Sequence, residues 1–186
     1  MKKLVFFLLI ITNTVLLAET ATFHIGARSY TLRIEDEYIG DYDRDNWNHW
    51  ISLENSNFTI RDKVLQEESL IPVVVIQSSS GRDRVTQGLW ICPFTGETLT
   101  DWRQIDIDHV VPLKEAYDSG GWKWTKEKKE TYANFLEFED HLIAVKASAN
   151  RSKGAQDPFE WLPSNQDFRA CHIFCVNDFF PFALTA

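Results

Sequence analysis

Residues 106–113 read Asp-Ile-Asp-His-Val-Val-Pro-Leu and place a carboxylate directly before an imidazole. Asp108 offers a hard oxygen ligand of the kind that Mg²⁺ or Mn²⁺ prefers. His109 belongs to the one residue type with an ordinary pKa of about 6.5, so it can accept a proton from water near neutral pH. A metal ligand beside a general base predicts hydrolytic chemistry.

A second polar segment lies farther along the chain, where His141 precedes an apolar run and Asn150 precedes Arg151 and Lys153. Asn150 supplies an amide oxygen, and the two cations can neutralise charge on a phosphate. Each of these residues alone is also typical of a helix cap or a solvated helix face. With the first segment, they predict a metal, a base and a phosphate clamp, which cleavage of a phosphodiester requires.

These segments resemble the ββα-metal core of HNH endonucleases, and more closely a group of secreted bacterial HNH nucleases. The core motif is specific at this spacing, whereas each flanking piece is individually weak. The resemblance covers roughly residues 39–175 and includes Tyr42-Asp43-Arg44 with Trp50, Ile60-Arg61-Asp62 with Val64-Leu65, Gly88-Leu89-Trp90, Pro93-Phe94-Thr95-Gly96, Ala149–Gly154 and Trp161-Leu162-Pro163.

The resemblance implies a division of roles within the motif. His109 is expected to activate water, and Asp108 and Asn150 are expected to hold one Mg²⁺, with Mn²⁺ as an alternative. Hydrolysis is expected to leave a 5′-phosphate and a 3′-hydroxyl. DNA is the favoured substrate and RNA stays open. No segment resembles a reader of base pairs, so weak sequence preference is expected.

His141 departs from the family pattern, because it stands where the family usually has an asparagine that orients the base histidine through a backbone contact. An imidazole can also donate a hydrogen bond to a carbonyl, so the orienting role is one interpretation. His141 could instead join Asp108 and Asn150 as a metal ligand, or take no part. The sequence leaves these three alternatives open.

Periodicity predicts the elements that must position these residues. Ile105, Ile107 and Val110-Val111 predict a strand, 142–145 predicts a second strand, and a helix follows that ends at Gly154. Strand, long insertion, strand and helix is the order that a ββα-metal unit needs. The predicted fold class is therefore α+β, a single domain built around a ββα-metal core at about 104–154 with additional amino-terminal strands and helices.

The remaining segments predict the elements around this core. Residues 22–36 alternate loosely and predict one or two strands. A helix is predicted over 60–70 with Val64 and Leu65 inward, and the apolar run 70–76 predicts a buried strand. Further helices are predicted over 113–118 and, capped by Thr125, up to about 136.

The first 18 residues are typical of a secretory signal peptide, with Lys2 and Lys3 before a short apolar run. The run is too short to span a bilayer comfortably, although an uncleaved anchor is the rival interpretation. Residues 19–186 would then form the mature nuclease domain, secreted or periplasmic and not bound to a membrane. Its oligomeric state is not predicted.

The formal net charge is −8, which is unusual for a protein that binds polyanions. This charge argues against tight, salt-driven binding of DNA, but it does not exclude an enzyme whose metal and local cations make the contact. Together with the His141 substitution, it motivates an alternative function. That alternative is a secreted, non-catalytic protein that retains the fold and binds a metal or a protein partner.

Three cysteines, Cys92, Cys171 and Cys175, allow one disulfide in an exported protein and leave one thiol over. Cys171 and Cys175 are close enough in sequence to pair on adjacent helical turns. A bond from Cys92 to either of them would close a longer loop and would stabilise more. The sequence does not choose between these pairings.

Overall fold

The computed structural model describes residues 20–25, 28–33, 37–138, 140–157 and 160–169. The chain divides into two compact units, residues 1–36 and 37–186. In the first unit, β1 (Thr20–Ile25) pairs antiparallel with β2 (Arg28–Arg33), as the loose alternation predicts. The predicted signal peptide lies outside the described residues, and the predicted domain boundaries stay a prediction.

The second unit mixes helices with two antiparallel sheets, which confirms the α+β class. One sheet has the order β3-β4-β5 and the other pairs β6 with β7. No helix in the described part of the chain is long and apolar enough to cross a membrane. In chain order the elements are α1 (Ile60–Glu67), β3 (Val74–Gln77), β4 (Asp83–Ile91), β5 (Thr98–Asp101), β6 (Ile105–His109), α2 (Leu113–Asp118), α3 (Lys126–Ala133), β7 (Leu142–Lys146) and α4 (Ala147–Lys153).

The first helix, α1, is fixed at its start by a capping box. The Thr59 hydroxyl accepts from the Asp62 backbone N–H, and the Asp62 carboxylate accepts from the Thr59 backbone N–H. The other carboxylate oxygen of Asp62 accepts from the Val85 N–H at 3.1 Å. Asp62 therefore ties α1 to β4, while Val64 and Leu65 point into the core as predicted.

The core consists of two clusters of buried apolar side chains. The larger one lies between α1 and the two sheets, and its largest member is Trp90, whose indole N–H donates to the Leu65 carbonyl. The smaller one gathers around Trp47 and includes Val111, Leu113, Ala116, Tyr132 and Ala133. The smaller cluster packs α2 against α3, so it supports the long insertion between β6 and β7.

The prediction of a buried strand over 70–76 is wrong in both its position and its burial. The strand is Val74–Gln77, and all four of its residues are exposed. Its register with β4 also shifts between Val74 and Val75. The physical reason is that β3 pairs only with β4 among the described strands, so its apolar side chains lie at a sheet edge.

The helix capped by Thr125 begins as predicted but ends at Ala133, three residues before the predicted end. Asn134 leaves the helical conformation, and its side chain is committed to other backbone groups. Its amide nitrogen donates to the carbonyls of Asn48 and Glu130, and its oxygen accepts from the Ile51 N–H. These bonds attach the end of α3 to the segment before α1.

Cys92 is a fully buried free thiol, and its sulfur accepts from the Lys146 N–H at 3.1 Å. Of the pairings that the sequence leaves open, those that involve Cys92 are therefore not formed. Cys171 and Cys175 lie outside the described residues.

Asp62→Ala is expected to lower the free energy of unfolding by about 2–4 kcal/mol. It removes a helix cap and leaves the Val85 N–H without its acceptor in the core. Urea denaturation measures the change. The matched control is Lys63→Ala on the exposed side of the same helix, which is expected to change stability by less than about 0.5 kcal/mol. Equal losses in the two variants would contradict the role given to Asp62.

Glu68→Gln is expected to change how stability depends on pH. Burial raises the pKa of Glu68 to about 7, while its bond from the Ala144 N–H opposes the rise. The folded-state pKa of Glu68 lies above its unfolded value. Protonated Glu68 therefore contributes fully to stability below about pH 4.5, and this contribution to the free energy of unfolding is lost as the pH rises to 7 and beyond. As the pH rises from 4.5 to 8, the free energy of unfolding of Glu68→Gln relative to that of the parent should increase by roughly 2–3 kcal/mol. Thermal denaturation across that range measures it. The exposed Glu54→Gln is the control, and a flat difference for Glu68→Gln would contradict the account.

Candidate functional site

The candidate site is built where β6, β7 and α4 meet. The two strands are antiparallel, with Asp108 opposite Ile143 and His109 opposite Leu142. Because α4 begins directly after β7, it packs against both strands. This pairing brings together segments that lie more than 30 residues apart in the chain.

A pocket of about 310 Å³ opens at the end of β6. Four of the six predicted site residues line it: Asp108, His109, Asn150 and Arg151. The other two, His141 and Lys153, are almost fully buried. The complete lining is Tyr42, Arg44, Ile107, Asp108, His109, Pro112, Leu113, Lys114, Asn150, Arg151, Gly154 and Ala155.

Asp108 and His109 are neighbours on one strand, yet both line this pocket. Side chains of neighbouring strand residues normally point to opposite faces. The strand ends at His109, and the Val110 N–H still donates to the His141 carbonyl at 3.0 Å. Because the strand ends at this pair, before Pro112, the two side chains can face one pocket.

The protonation of His109 follows from its hydrogen bond. Its Nε2 lies 2.9 Å from the Ala133 carbonyl, which can only accept, so Nε2 carries the hydrogen and Nδ1 keeps the lone pair. Burial is the main reason that the pKa of His109 lies well below its usual range, and the neighbouring His141, Arg44 and His49 lower it further against the opposing bond to the Ala133 carbonyl. The ring is therefore neutral near pH 7, the form that a general base needs.

Trp50 packs beside His109, with ring centroids 5.4 Å apart. Its backbone has a φ of 59°, in the left-handed region that large side chains rarely adopt. Such strain persists where the surrounding structure holds the residue in place. Trp50 thus helps to hold the imidazole in one orientation.

Asp108 is buried and forms an ion pair with Lys153. The Lys153 Nζ donates to both carboxylate oxygens, at 3.0 and 2.9 Å, and to the His109 carbonyl at 3.0 Å. Burial raises the pKa of Asp108, and the Lys153 ammonium opposes that rise. The sequence predicts Lys153 as a phosphate clamp, but the side chain is buried outside the pocket lining, and its three hydrogens are used by Asp108 and His109.

Asn150 and Arg151 both approach Asp106 at the side of the pocket. The Asn150 Nδ2 lies 3.4 Å from an Asp106 carboxylate oxygen, and the Arg151 Nε lies 3.5 Å from the same oxygen. The amide nitrogen of Asn150 is thus turned toward Asp106. Arg151 is three-quarters exposed, so it can also reach an anion in the pocket.

His141 lies behind His109, with ring centroids 5.5 Å apart. Its Nε2 donates to the Tyr132 carbonyl at 2.7 Å, next to the Ala133 carbonyl that holds His109. Burial lowers the pKa of His141 to about 4, so this ring is also neutral. A bond to a backbone carbonyl is compatible with the orienting alternative, and His141 is absent from the pocket lining; its role stays a prediction.

Two further cations line the pocket. Arg44 and Lys114 are both exposed, and Lys114 forms an ion pair with Asp118. In the sequence, Arg44 stands in a weak flanking piece of the resemblance, and no motif singles out Lys114. No spacing rule signals either one, because neither belongs to β6, β7 or α4.

The donor set is small for a metal site. The described residues contain no group of three or more histidine, cysteine, aspartate or glutamate side chains that could hold an ion. Asp108 and Asn150 line one pocket and supply one carboxylate and one amide oxygen. Such hard oxygen donors suit Mg²⁺, which keeps several waters and needs few protein ligands.

No family model and no solved structure matches this chain. The chain is similar to a protein of the fungus Arthroderma benhamiae that is described as an uncharacterized secreted protein. The two are 37% identical over 127 residues, which are 68% of this chain. The matched region is 59% of that protein, so the chain spans less than two thirds of its relative's length.

Lys153→Met is expected to lower the free energy of unfolding by about 3–5 kcal/mol, because it leaves the Asp108 carboxylate buried without a partner. Adding Asp108→Asn should recover part of this loss, since both partners of the pair are then neutral. Chemical denaturation of the two single variants and the double variant measures the coupling. Lys146→Met, which removes the partly exposed partner of Glu97, is the control. If Lys153→Met lowered the free energy of unfolding no more than Lys146→Met does, the buried ion pair would not have the stabilising role given to it here.

Proposed function

We propose that this protein is a secreted, metal-dependent endonuclease with an HNH-type ββα core at about 104–154. It hydrolyses phosphodiester bonds; DNA is the favoured substrate, and RNA is the alternative. One observation carries the proposal. A single pocket is lined by an imidazole, a carboxylate and an amide together with exposed cations.

His109 is the general base in this proposal. Its Nε2 is occupied by the Ala133 carbonyl, so Nδ1 is the nitrogen that takes a proton from water. The activated water attacks phosphorus in line with the 3′ oxygen that leaves. His141 positions the base indirectly, because it holds the neighbouring Tyr132 carbonyl in place.

Asp108 and Asn150 are the residues that would hold Mg²⁺ or Mn²⁺. When bound, such an ion stabilises negative charge on the phosphoryl group and on the departing oxygen. Lys153 supports Asp108 because its ammonium favours the charged carboxylate in a buried place. The same ammonium offsets part of the negative charge, so modest metal affinity is expected.

Arg44, Lys114 and Arg151 would bind the phosphate. Each lines the pocket and each is exposed, so their charges can reach an entering polyanion. Hydrogen bonds from such cations to phosphate oxygens are stronger than neutral ones. Such contacts position the sugar-phosphate backbone of the nucleic acid and carry no information about its bases, which agrees with weak sequence preference.

Export is part of the proposal. The relative from Arthroderma benhamiae is described as secreted, and the first 18 residues here are typical of a signal peptide. A secreted or periplasmic location follows. Loss of Lys2 and Lys3 with that peptide would make the net charge two units more negative than −8.

A second candidate function is a secreted protein that keeps this fold without turnover and binds a metal or a protein partner. The Lys153–Asp108 pair favours it, because the ammonium already occupies both oxygens of the principal ligand. The overall negative charge also favours it. It differs from the first candidate in leaving DNA intact with every metal.

Plasmid nicking tests the enzyme most simply. The parent should cut supercoiled DNA with Mg²⁺ or Mn²⁺ and lose the activity in EDTA. His109→Ala should lower the rate by about 10²–10⁴, because the proton acceptor is gone. Added imidazole should restore part of the rate in His109→Ala but not in Asp108→Ala.

Lys63→Ala, on the exposed side of α1, is the control for this assay and should cut as the parent does. Thermal denaturation of each variant separates lost chemistry from lost folding. Equal cutting by His109→Ala and the parent would remove His109 from its role. A parent that is inactive with both metals would favour the non-catalytic candidate.

A further inference from the structure

Three arginines surround one tryptophan away from the pocket. The guanidinium carbons of Arg61, Arg84 and Arg103 lie 5.4, 5.1 and 5.4 Å from the centre of the Trp102 ring. These distances are within the range of cation–π attraction. We call this group the Trp102 cluster.

The arginines of the cluster differ in how firmly they are held. The Arg61 guanidinium donates to the carbonyls of Trp102 and Ile105, at 3.3 and 2.7 Å, which fixes it at the base of the cluster. Arg84 and Arg103 are exposed. Arg103 also approaches Asp101 at 3.4 Å, a long contact that leaves most of its hydrogen-bonding groups toward solvent. The cluster therefore presents oriented cations at the surface of a protein with a net charge of −8.

The Trp102 cluster and the pocket lie at opposite ends of one strand. Arg61 binds the carbonyl of Ile105, where β6 begins, whereas His109 ends the same strand at the pocket. Asp106 connects the two, because its charge acts on Arg61 and its carboxylate contacts Asn150 and Arg151. Four residue steps of strand separate the ends by about 13 Å.

We propose that the Trp102 cluster is a second phosphate-binding site, which holds the backbone of the nucleic acid beside the bond cut at the pocket. This inference rests on the proposed function. Along the axis of a duplex, a separation of about 13 Å corresponds to roughly four base-pair steps. Guanidinium groups held over an aromatic ring lose less freedom when they bind phosphate than free side chains do. The cluster would let a protein with a negative net charge bind the phosphates of a nucleic acid locally, without contacts to the bases.

The double variant Arg84→Ala/Arg103→Ala tests the site, because both side chains are exposed and the anchoring Arg61 is kept. Binding of a labelled DNA duplex of about two helical turns is followed by fluorescence anisotropy in EDTA at several salt concentrations. The slope of log K against log salt should become shallower by about 1.8, as two phosphate contacts are lost. The matched control, Lys63→Ala/Arg82→Ala, removes two positive charges outside the cluster and should keep the parent's slope.

Two outcomes would overturn the inference: an unchanged slope in the arginine variant, or an equal change in the control. Hydrolysis of bis(p-nitrophenyl) phosphate, which is too small to reach the cluster, should be the same in the arginine variant and the parent. Cleavage of long DNA should fall in the arginine variant alone. A parent that hydrolyses neither substrate defeats the proposed function, whereas the anisotropy slopes still decide the binding site.

Discussion

The buried ion pair between Lys153 and Asp108 is the interaction on which the site depends. It joins the last residue of α4 to β6, and its third hydrogen bond reaches the backbone of His109. A carboxylate at this depth stays charged only if a cation shares its surroundings. The same contact therefore holds α4 against β6 and favours the charged form of the Asp108 carboxylate, which a divalent ion would need.

The insertion between β6 and β7 supplies the hydrogen-bond partners of two imidazoles, those of His109 and His141. His109 and His141 each bond a carbonyl at the end of α3, and these carbonyls belong to adjacent residues. The smaller core cluster around Trp47 packs α3 in place, and Asn134 attaches its end to the segment before α1. The orientation of His109 thus depends on packing outside β6, β7 and α4.

Local signals in the sequence predicted the parts of the site that depend on local structure. Asp108 and His109 lie on a strand that ends before Pro112, because period-two alternation and proline act over a few residues. The burial of Lys153 was not predictable, since helical spacing gives it a face but not the partner that the face meets. The apolar strand β3 shows the same limit, because composition does not say which strand lies at a sheet edge.

The central claim is that Asp108 and Asn150 hold a divalent ion next to His109. Paramagnetic broadening by Mn²⁺ tests it directly, with the His109 ring protons assigned by their loss in His109→Ala. Mn²⁺ should broaden the His109 signals in the parent at low metal concentration, and this effect should be lost in both Asp108→Asn and Asn150→Ala. Signals of His109 that stay sharp in the parent, or that broaden equally in Asn150→Ala, would contradict the claim.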